Sequence, residues 1–432
     1  MHNGLTAVIL AAGKSTRMKS DTPKVLHKIC GKPVISYAID LCLKLKIKHI
    51  ILVVGCCKEK VLGYVRENYK GRDIEIALQK KLLGTADAVL SAKAKIRKSE
   101  KDLLVLYADQ PLLSLGAARK ILNEYNKAGV SCVLLTADLE GSQGYGRIIR
   151  DSKGRISEIR EDKDLRKDEK DIKEVNAGSC IFKKEKLFSV INNIKPDNKK
   201  REYYLTEAIR LLRERGERIS SVRAEDRTEV LGINCRLELV EIEKILTKRL
   251  INKFLAQGVT IKSPETTFIN HGVKIGRDTV INPFVYIDSN VRIGKNCVIG
   301  PFSHIRGESV IKDNVVIGSF GELNRTCVGR NSRIKHFSYL GDAEIGNSVN
   351  IGAGTVTANF DGKNKNKTYI DDGAFIGSDT VLVAPVRVGR ASITGAGCVV
   401  PKHKNVPAGK IVLGVPAKVY PVRDKFSTHN SK

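Results

Sequence analysis

Isoleucine recurs at every sixth residue through a long stretch of the second half of the chain, and this spacing limits the possible folds more than any other feature. The run has no gap: Ile275, Ile281, Ile287, Ile293, Ile299, Ile305, Ile311 and Ile317. A period of six is neither the two of an ordinary strand nor the 3.6 of a helix. It fits a short strand followed by a tight turn, with three such units closing one triangular coil.

The same rhythm predicts how the coils stack. β-Branched side chains would pile up inside, and glycines such as Gly276 and Gly294 would supply the positive φ that the corners need. The rhythm shifts near residues 320–335 and resumes at Ile345. The insertion at 361–367 should protrude as a loop, and loops on such stacks commonly build sites. The second half is therefore predicted to be a left-handed parallel β-helix of hexapeptide repeats.

The first 235 residues alternate between strand and helix patterns. Short apolar runs flanked by Gly, Asp or Pro indicate buried parallel strands at Thr6–Leu10, His49–Val54, Asp102–Tyr107 and Ser131–Thr136. Helices are predicted between them at Val34–Lys46, Ala86–Ile96 and Leu115–Ala128. This alternation predicts an α/β doubly wound, Rossmann-like domain, which binds its ligands at the carboxyl ends of the strands.

A chain of 432 residues is too long for one ordinary core, so two domains are expected. We place the first at residues 1–235 and the β-helix, with its C-terminal tail, at 259–432. Between them, at 236–258, apolar residues recur at helical spacing from Leu237 to Phe254. One long linking helix is therefore predicted, and at 1.5 Å per residue it would span roughly 30 Å.

Composition argues against several classes of protein. The longest apolar run, Ile50 to Cys57, is too short to cross a bilayer, and the N-terminus lacks the pattern of a signal peptide. The ten cysteines form no Cys-x-x-Cys pair and no cluster with zinc-ligand spacing. They are interpreted as reduced core thiols, which indicates a cytoplasmic protein without membrane insertion.

A formal net charge of +28 indicates solvated basic faces or a partner that carries phosphates. Nucleotides, sugar phosphates, coenzyme A and nucleic acid all fit that description. Basic residues are spread along the whole chain rather than gathered in a stripe with aromatic side chains, which argues against nucleic acid.

The clearest chemical motif follows the first predicted strand. The segment Leu10–Gly13 (Leu-Ala-Ala-Gly) is a loop of small residues whose backbone N–H groups can approach a phosphate, and Arg17 and Lys24 add positive charge. It is not a Walker loop, because Val8 stands where that loop needs its first glycine. The segment therefore predicts a phosphate-binding loop, with a purely structural turn as the alternative.

Other residues follow in the order found in sugar-phosphate nucleotidyltransferases, a family that the first half of the chain resembles. They are Gln79, Gly84-Thr85, Tyr107-Ala108-Asp109, Gly146-Arg147, Glu161, Asn176, Thr206 and Asn234. With the repeats, essentially the whole chain resembles the bifunctional N-acetylglucosamine-1-phosphate uridyltransferases/glucosamine-1-phosphate N-acetyltransferases. The resemblance implies a homotrimer that makes UDP-N-acetylglucosamine for glycan precursors such as the cell wall. It also implies glucosamine-1-phosphate, acetyl-CoA and UTP as substrates and Mg²⁺ as cofactor.

The resemblance implies that Asp109 and Asn234 hold Mg²⁺ and that Arg17 and Lys24 act in catalysis through their charge. The residues implied to bind the nucleotide are Leu10, Ala11, Ala12, Gly13, Lys24, Gln79, Gly84 and Thr85. Those implied to bind the sugar are Tyr107, Gly146, Glu161, Asn176, Thr206 and Asn234. Structural roles stay open for two of them, since Asp109 could cap a helix and Asn234 could be a turn residue.

In the second half the resemblance implies that His336 is the catalytic base that takes the proton of the sugar ammonium. The residues implied to bind glucosamine-1-phosphate are Arg306, Glu322, Asn324, Tyr339, Asn350 and Lys365. Those implied to bind acetyl-CoA are Asn359, Phe360, Ser378, Ala396, Lys418 and Arg423. Two positions depart from the family pattern. Asn324 replaces a phosphate-binding lysine, with Arg325 adjacent as a substitute, and Phe360 replaces a tyrosine.

Two alternatives to a bifunctional enzyme stay open. The first is a nucleotidyltransferase whose β-helix only oligomerises the chain, which the departures at Asn324 and Phe360 favour. The second is a non-enzymatic assembly factor, because translation-initiation exchange-factor subunits share this two-domain layout. The retained cationic and metal-ligating residues of the first half argue against that second class.

Overall fold

The computed structural model describes residues 4–13, 15–55, 58–141, 144–196, 198–199 and 201–420. The chain divides into two compact units. The first comprises Met1–Ile29 and Pro33–Ile242, and the second comprises Cys30–Lys32 and Glu243–Lys432. The division falls inside the helix Arg236–Ala256, so the stretch interpreted as a separate linker is shared between the units. In the described part of the chain, no helix has the length and apolar character needed to cross a bilayer.

Strands and helices alternate up to residue 256. The strands are β1 Leu5–Ala11, β2 Lys28–Ile29, β3 Lys32–Pro33, β4 His49–Val54, β5 Asp73–Leu78, β6 Asp102–Tyr107, β7 Val130–Asp138, β8 Arg147–Arg150, β9 Ile156–Arg160, β10 Glu174–Lys183 and β11 Arg218–Arg223. The α-helices are α1 Val34–Lys44, α2 Lys58–Asn68, α3 Thr85–Ala92, α4 Leu115–Tyr125, α5 Lys184–Val190, α6 Glu207–Glu214 and α7 Arg236–Ala256. Short 3₁₀ turns lie at Thr16–Met18, Lys24–Leu26, Lys93–Lys95, Asp162–Asp164, Lys167–Glu169, Ile191–Asn193, Arg227–Val230 and, in the second unit, Pro264–Thr266.

The main sheet of the first unit has the order β11-β7-β10-β6-β1-β4-β5, with β8 and β9 branching from β10. Its centre is parallel, because β1 pairs in parallel with β4 and β6, and β4 pairs in parallel with β5. Strand β10 runs antiparallel between β6 and β7. The predicted doubly wound α/β fold is thus confirmed, although the sheet is mixed rather than wholly parallel.

The predicted elements of this unit form with shifted ends. Strands β4 and β6 coincide with His49–Val54 and Asp102–Tyr107, whereas the helix predicted to reach Ile96 ends at Ala92. Beyond Ala92 the chain tightens into a 3₁₀ turn, in which Ile96 N–H donates to Lys93 O. Such a turn satisfies the last carbonyls of a helix, so the apolar pattern runs past the α-helical residues.

The second unit is a stack of triangular coils with three parallel faces. The strands of the first face are Thr260–Ile261, Val280–Ile281, Val298–Ile299, Val316–Ile317, Arg333–Ile334, Asn350–Ile351, Phe375–Ile376, Ile393–Thr394 and Ile411–Leu413, with Lys418–Tyr420 added antiparallel at the end. Those of the second face are Phe268–Ile269, Tyr286–Ile287, His304–Arg306, Gly321–Asn324, Ser338–Gly341, Val356–Ala358, Val381–Val383 and Val399–Val400. Those of the third face are Lys274–Ile275, Arg292–Ile293, Val310–Ile311, Cys327–Val328, Ala343–Ile345, Thr368–Ile370 and Val386–Val388.

The isoleucine of each six-residue unit is buried inside this stack, as the period predicts. Coil length changes where the rhythm shifts. Val298 pairs with Val316 across a coil of 18 residues, and Val316 pairs with Arg333 across a coil of 17. Insertion of the exposed loop at 361–367 lengthens one coil to 25, from Val356 to Val381. The left-handed parallel β-helix is therefore confirmed, with the loop where the sequence predicts it.

Of the glycines that follow buried isoleucines, Gly300 has the predicted positive φ of 85°, but others are present for a different reason. Gly294 and Gly318 do not adopt positive φ, but a Cβ on Gly318 would lie only 1.8 Å from Lys335 O of the next coil. Corners with positive φ hold larger residues, such as Asn290 with φ 64° and Phe302 with φ 54°. Asparagine tolerates this region better than most residues do. These glycines are thus required by close backbone approach between coils.

Truncation of one stacked isoleucine tests the inside–outside alternation. Ile293→Ala should lower the stability of the second unit by about 2–5 kcal/mol, because a cavity would remain. Ile293 is 4% exposed and pairs in register with Ile275 and Ile311. The neighbouring outward residue supplies the control, since Arg292→Ala should change stability by less than about 0.5 kcal/mol. Urea unfolding followed by circular dichroism measures both, and equal effects would contradict the assignment of faces.

Candidate active sites

A cavity of about 440 Å³ lies in the first unit at the carboxyl ends of β1, β4, β5 and β6. This is the edge at which doubly wound sheets bind their ligands. Its lining includes Leu10, Ala11, Ala12, Gly13, Ser15, Lys24, Gly55, Gln79, Gly84, Thr85, Tyr107, Asp109 and Glu202. All eight residues expected from the sequence to bind the nucleotide therefore border one cavity. Glu202 borders it too; it begins the segment 202–206, which the resemblance also covers, although no role was expected of it.

The loop after β1 owes its shape to one serine and to two positions without a side chain. Ser15 has positive φ (59°), and its Oγ accepts a hydrogen bond from Lys24 N at 3.1 Å and donates to Gly13 O at 3.3 Å. A Cβ on Gly13 would meet nothing within 4 Å, whereas one on Gly55 would lie 2.6 Å from Ala12 O. The loop therefore folds back to bring Lys24 beside its own beginning, and it leaves open space at Gly13.

Four residues that are distant in sequence converge at one end of this loop. Lys24 Nζ donates to Asp109 Oδ2 at 2.5 Å and to Asn234 Oδ1 at 3.3 Å, and Arg17 Nη2 donates to the same Asn234 oxygen at 3.0 Å. Ile233 N–H donates to Asp109 O at 2.9 Å, which fixes the segment that carries Asn234. Two cations thus face one carboxylate, and the excess of positive charge suits an anionic ligand.

The structural alternatives for Asp109 and Asn234 do not account for these contacts. Helix α4 is capped by Ser114, whose Oγ accepts from Ala117 N at 3.0 Å, so Asp109 is not its cap. Asn234 Oδ1 accepts from two cationic side chains, which a turn residue does not need. Ala108, next to Asp109, does not adopt positive φ, so its Cβ causes no backbone strain there.

The far end of the cavity is organised around Gln79. Its Nε2 donates to Gly84 O at 2.9 Å and to Asp87 Oδ2 at 2.7 Å. Gly84 has φ 127°, and a Cβ there would lie 2.4 Å from Tyr203 O. Thr85 Oγ1 accepts from Leu205 N at 2.8 Å. The segment before α3 is therefore clamped against the chain near residue 204, and Asp87 joins the site without any sequence signal for it.

Four of the six residues expected to hold the sugar form two pairs. Thr206 Oγ1 donates to Glu161 Oε1 at 2.9 Å, and Asn176 N–H donates to Gly146 O at 2.8 Å. Asn176 lies at an irregularity in the pairing of β10 with β7. The Thr206–Glu161 pair borders a second cavity of about 520 Å³, whereas Tyr107 borders the first cavity. Burial raises the pKa of the Tyr107 hydroxyl above its usual value, so it stays protonated.

The second unit has a cavity of about 600 Å³ along its first face. Its lining includes Lys335, His336, Asn350, Phe375, Ser378, Ile393, Ala396, Ile411 and Leu413. Four residues expected to take part in acetyl transfer meet here, namely His336, Asn350, Ser378 and Ala396. Because the lining comes from successive coils, the cavity is a slot that suits an extended ligand.

Other residues expected for acetyl transfer lie on the second face. Arg306 donates to Glu322 Oε1 from Nε at 2.8 Å and from Nη2 at 2.6 Å. Tyr339 lies beside Glu322 in the next coil. In the part of the chain that the structure describes, none of these three residues borders the His336 cavity. One chain therefore holds two separate groups of the expected residues.

Asp342 joins two of the expected positions on that face. Its carboxylate accepts from Arg325 Nε at 2.6 Å and Nη2 at 2.8 Å, and it also accepts from Asn359 Nδ2. Arg325 Nη1 donates to Asn324 Oδ1 at 2.9 Å. These bonds to Arg325 hold the pKa of Asp342 below its usual value. The guanidinium of Arg325, next to the Asn324 that replaces the expected lysine, is thus fixed in place by a bidentate ion pair.

The remaining expected residues are less closely assembled. Phe360 is 59% exposed, and its backbone pairs with that of Lys365 in the inserted loop. Lys418 is exposed in the last strand and does not border the His336 cavity, whereas Leu413 does. Arg423 lies outside the described residues. Sequence reasoning missed Leu413 because it sought cations for the coenzyme phosphates.

Family models match both units. The model of the MobA-like NTP transferase domain matches residues 7–199, and that of the bacterial transferase hexapeptide (six repeats) matches residues 290–325. With the two groups of residues described above, these matches define a nucleotidyltransferase joined to a hexapeptide-repeat transferase.

Curated relatives narrow this class. The bifunctional protein GlmU of Fervidobacterium nodosum is 41% identical over 95% of this chain and 94% of its own length. The GlmU of Syntrophomonas wolfei subsp. wolfei is 38% identical over 93% of this chain and 96% of its own length. The GlmU of Pelotomaculum thermopropionicum is 39% identical over 88% of this chain and 90% of its own length. The chain belongs to the GlmU family of bifunctional enzymes, with uridyltransferase and acetyltransferase activities. Membership of this family argues against the non-enzymatic and single-activity alternatives.

Replacement of Asp342 tests the network on the second face. Asp342→Asn should raise the KM for glucosamine-1-phosphate in acetyl transfer by about tenfold, because Arg325 loses a charged bidentate partner. Pyrophosphate release should not change, since it depends on the first unit. Asp313→Asn is the matched control, because it removes an Asp–Arg330 pair elsewhere in the stack. Thiol release titrated with sugar phosphate measures the effect, and an unchanged KM would contradict it.

Proposed function

We propose that the first unit transfers the uridylyl group of UTP to N-acetylglucosamine-1-phosphate, and that the second acetylates glucosamine-1-phosphate with acetyl-CoA. UDP-N-acetylglucosamine is the product of the two reactions together. The observation that carries the proposal is the convergence of Arg17, Lys24, Asp109 and Asn234 beside the loop that borders the nucleotide cavity. A triphosphate would offset the positive charge of Arg17 and Lys24, whereas a ligand without phosphate would leave that charge without a partner.

Asp109 and Asn234 are suited to hold Mg²⁺. Asp109 Oδ2 and Asn234 Oδ1 are both bonded by one ammonium nitrogen, so two hard oxygen donors already gather around a cation. Carboxylate and amide oxygens are the ligands that this metal accepts. Mg²⁺ held by these two residues would supply neutralisation of the negative charge on the nucleotide phosphates.

The uridylyl transfer needs no protein nucleophile. A phosphate oxygen of the sugar attacks the α-phosphorus, the bond to the leaving group breaks, and pyrophosphate departs with the negative charge. Lys24 and Arg17 offset charge that accumulates on the phosphates, while Leu10–Gly13 offers backbone N–H groups. Gln79, with Gly84 and Thr85, faces the base.

The sugar occupies the space between the nucleotide cavity and the paired residues of the sheet edge. Thr206 and Glu161 are already hydrogen-bonded to each other, which orients polar groups for sugar hydroxyls. Gly146 and Asn176, joined by a backbone hydrogen bond, would take the acetamido side with Tyr107.

For acetyl transfer, His336 removes a proton from the sugar ammonium. The freed amine nitrogen attacks the thioester carbonyl and the carbon–sulfur bond breaks. The nitrogen loses its second proton as the amide forms, and the departing thiolate of coenzyme A takes up that proton. Ser378 and Asn359 would face the thioester, while Ala396 packs on the pantetheine in the slot. The sugar phosphate would lie near the guanidinium of Arg306.

A homotrimer would bring the two groups of acetyl-transfer residues together. The slot that contains His336 and the network around Arg306 lie on different faces of one chain, so a neighbouring copy is needed if both serve one site. Phe284, Phe302 and Phe320 stack with ring centroids 4.8 and 5.1 Å apart and remain half exposed. Such an exposed apolar row is typical of a surface that another chain covers.

Substitution within this row tests the trimer. Phe302→Glu should shift the mass measured by light scattering from three times the 47.6 kDa of one chain toward the monomer, because a charge would be buried at the contact. Acetyl transfer should fall with the trimer while uridylyl transfer persists. Retention of a trimer by the variant would remove this row from the interface, and a wild-type monomer with full acetyl transfer would refute the assembly itself.

A cytoplasmic site of action is part of this proposal. The cysteines at 30, 42, 132, 180, 235, 297, 327 and 398 are free thiols. Burial raises the pKa of Cys132 and Cys180 well above the usual value, so they are unreactive core residues. Nucleic acid is not an expected partner, because the cationic groups of the nucleotide site lie in a closed cluster rather than along an open stripe.

One assay tests both reactions at once. The purified chain is given glucosamine-1-phosphate, acetyl-CoA, UTP and Mg²⁺, and free thiol and pyrophosphate are followed separately. Both signals are expected. Pyrophosphate alone, seen only with pre-acetylated sugar, would refute the acetyltransferase assignment, and silence in both would refute the whole proposal.

Two variants should separate the reactions. His336→Ala should reduce thiol release by about 100-fold or more, because general-base catalysis contributes on that scale, and leave pyrophosphate release nearly intact. Asp109→Ala should do the reverse, because a ligand for the proposed metal is lost. Equal loss of both activities in either variant would contradict independent sites.

A further inference from the structure

We propose that Asp87 determines which nucleobase the first unit accepts, because it holds the amide of Gln79 so that only an acceptor faces the base. The inference rests on the proposed function, in which Gln79 lies against the base of the bound nucleotide. Asp87 itself does not border the nucleotide cavity, so it is a positioning residue that acts through Gln79.

Both hydrogens of the Gln79 amide nitrogen are already used. Nε2 donates one to Gly84 O at 2.9 Å and the other to Asp87 Oδ2 at 2.7 Å. A primary amide nitrogen has two N–H groups, so none is left for a ligand. A backbone carbonyl and a carboxylate can only accept, so the reversed amide would place its oxygen against two oxygens.

The amide oxygen of Gln79 is therefore the atom available to a ligand. Gln79 is 4% exposed but borders the nucleotide cavity. Among the described residues, none donates a hydrogen bond to Gln79 Oε1. The position offers the cavity a hydrogen-bond acceptor whose orientation is fixed from behind.

A fixed acceptor discriminates between pyrimidines. Uracil carries an N–H group at N3, whereas cytosine has a lone pair at the same position. Against Gln79 Oε1, the first forms a hydrogen bond and the second meets a repulsive oxygen. Sites that hydrogen-bond a group on the substrate reject analogues that lack it, because their buried polar atoms are left unpaired. The geometry thus selects a nucleoside triphosphate whose base donates at its imino position.

The position of Asp87 makes this effect separable from helix stability. It lies in the first turn of α3, where its charge also favours the helix. Ser91 Oγ, one turn further on, donates to the backbone carbonyl of Asp87 at 2.9 Å, and among the described residues it makes no hydrogen bond to the side chain of Asp87 or Gln79. Ser91→Ala is therefore a control for the helix that leaves the amide of Gln79 untouched.

The test compares kcat/KM for UTP and CTP, with N-acetylglucosamine-1-phosphate and Mg²⁺ in the assay. In Asp87→Ala the preference for UTP over CTP should fall by about tenfold, because one of the two acceptors that orient the amide is gone. Asp87→Asn should keep the preference within about twofold, since its side-chain oxygen still accepts from Gln79. Ser91→Ala should leave the preference unchanged. Asp87→Ser, whose hydroxyl is too short to reach Gln79, serves as the second test variant if the alanine variant does not fold.

The outcomes separate the inference from the function on which it rests. If Asp87→Ala or Asp87→Ser lowers kcat/KM for both nucleotides equally, so that their ratio stays constant, Asp87 is only structural and the inference is overturned. If the wild-type enzyme uses CTP as readily as UTP, the uridine assignment fails and the inference fails with it. The inference is supported if the ratio of kcat/KM for UTP to that for CTP falls in Asp87→Ala and Asp87→Ser but stays near the wild-type value in Asp87→Asn.

Discussion

Parallel backbone hydrogen bonding decides where chemistry can take place in both units. In the first, it ends β1, β4, β5 and β6 at one edge, so Lys24, Gln79 and Asp109 border a single cavity although they are far apart in the chain. In the second, it lays each coil on the previous one, so Tyr339 lies directly beside Glu322. A slip of one residue in either pairing would turn the side chains to the opposite face, so the sites depend on register.

The sequence predicts the β-helix well because its constraint is local and repeated. Each coil needs a buried apolar side chain at the same point of every six-residue unit. The isoleucines from Ile275 to Ile317 occupy these points, so the repeat is visible in the sequence. The nucleotide site is predictable for another reason. No period links Lys24, Asp109 and Asn234, and their grouping was accessible only through a motif shared with a family.

Contacts between distant segments explain what the sequence could not reveal. From the sequence, Gly318 is expected to be a turn glycine. In the structure it is required because a Cβ there would collide with Lys335 O of the next coil. Asp87 has no motif of its own, and Asp342 ends the segment around His336 without an expected role; their importance comes from the side chains that they hold, Gln79 and Arg325. The antiparallel insertion of β10 was hidden because a buried strand has the same apolar pattern in either direction.

The coil of 25 residues indicates how this molecule can acquire new chemistry. Its extra residues, 361–367, leave and rejoin the wall at one corner, and Val356 and Val381 still pair on either side of the insertion. A stack of this kind can therefore grow outward at a corner while its neighbours keep their shape. The first unit has no such freedom at its working edge, where a Cβ on Gly55 or Gly84 would collide with the backbone of another segment. Evolution would then change the second unit by inserting residues at its corners. It would change the first unit by substituting side chains on a backbone that stays the same.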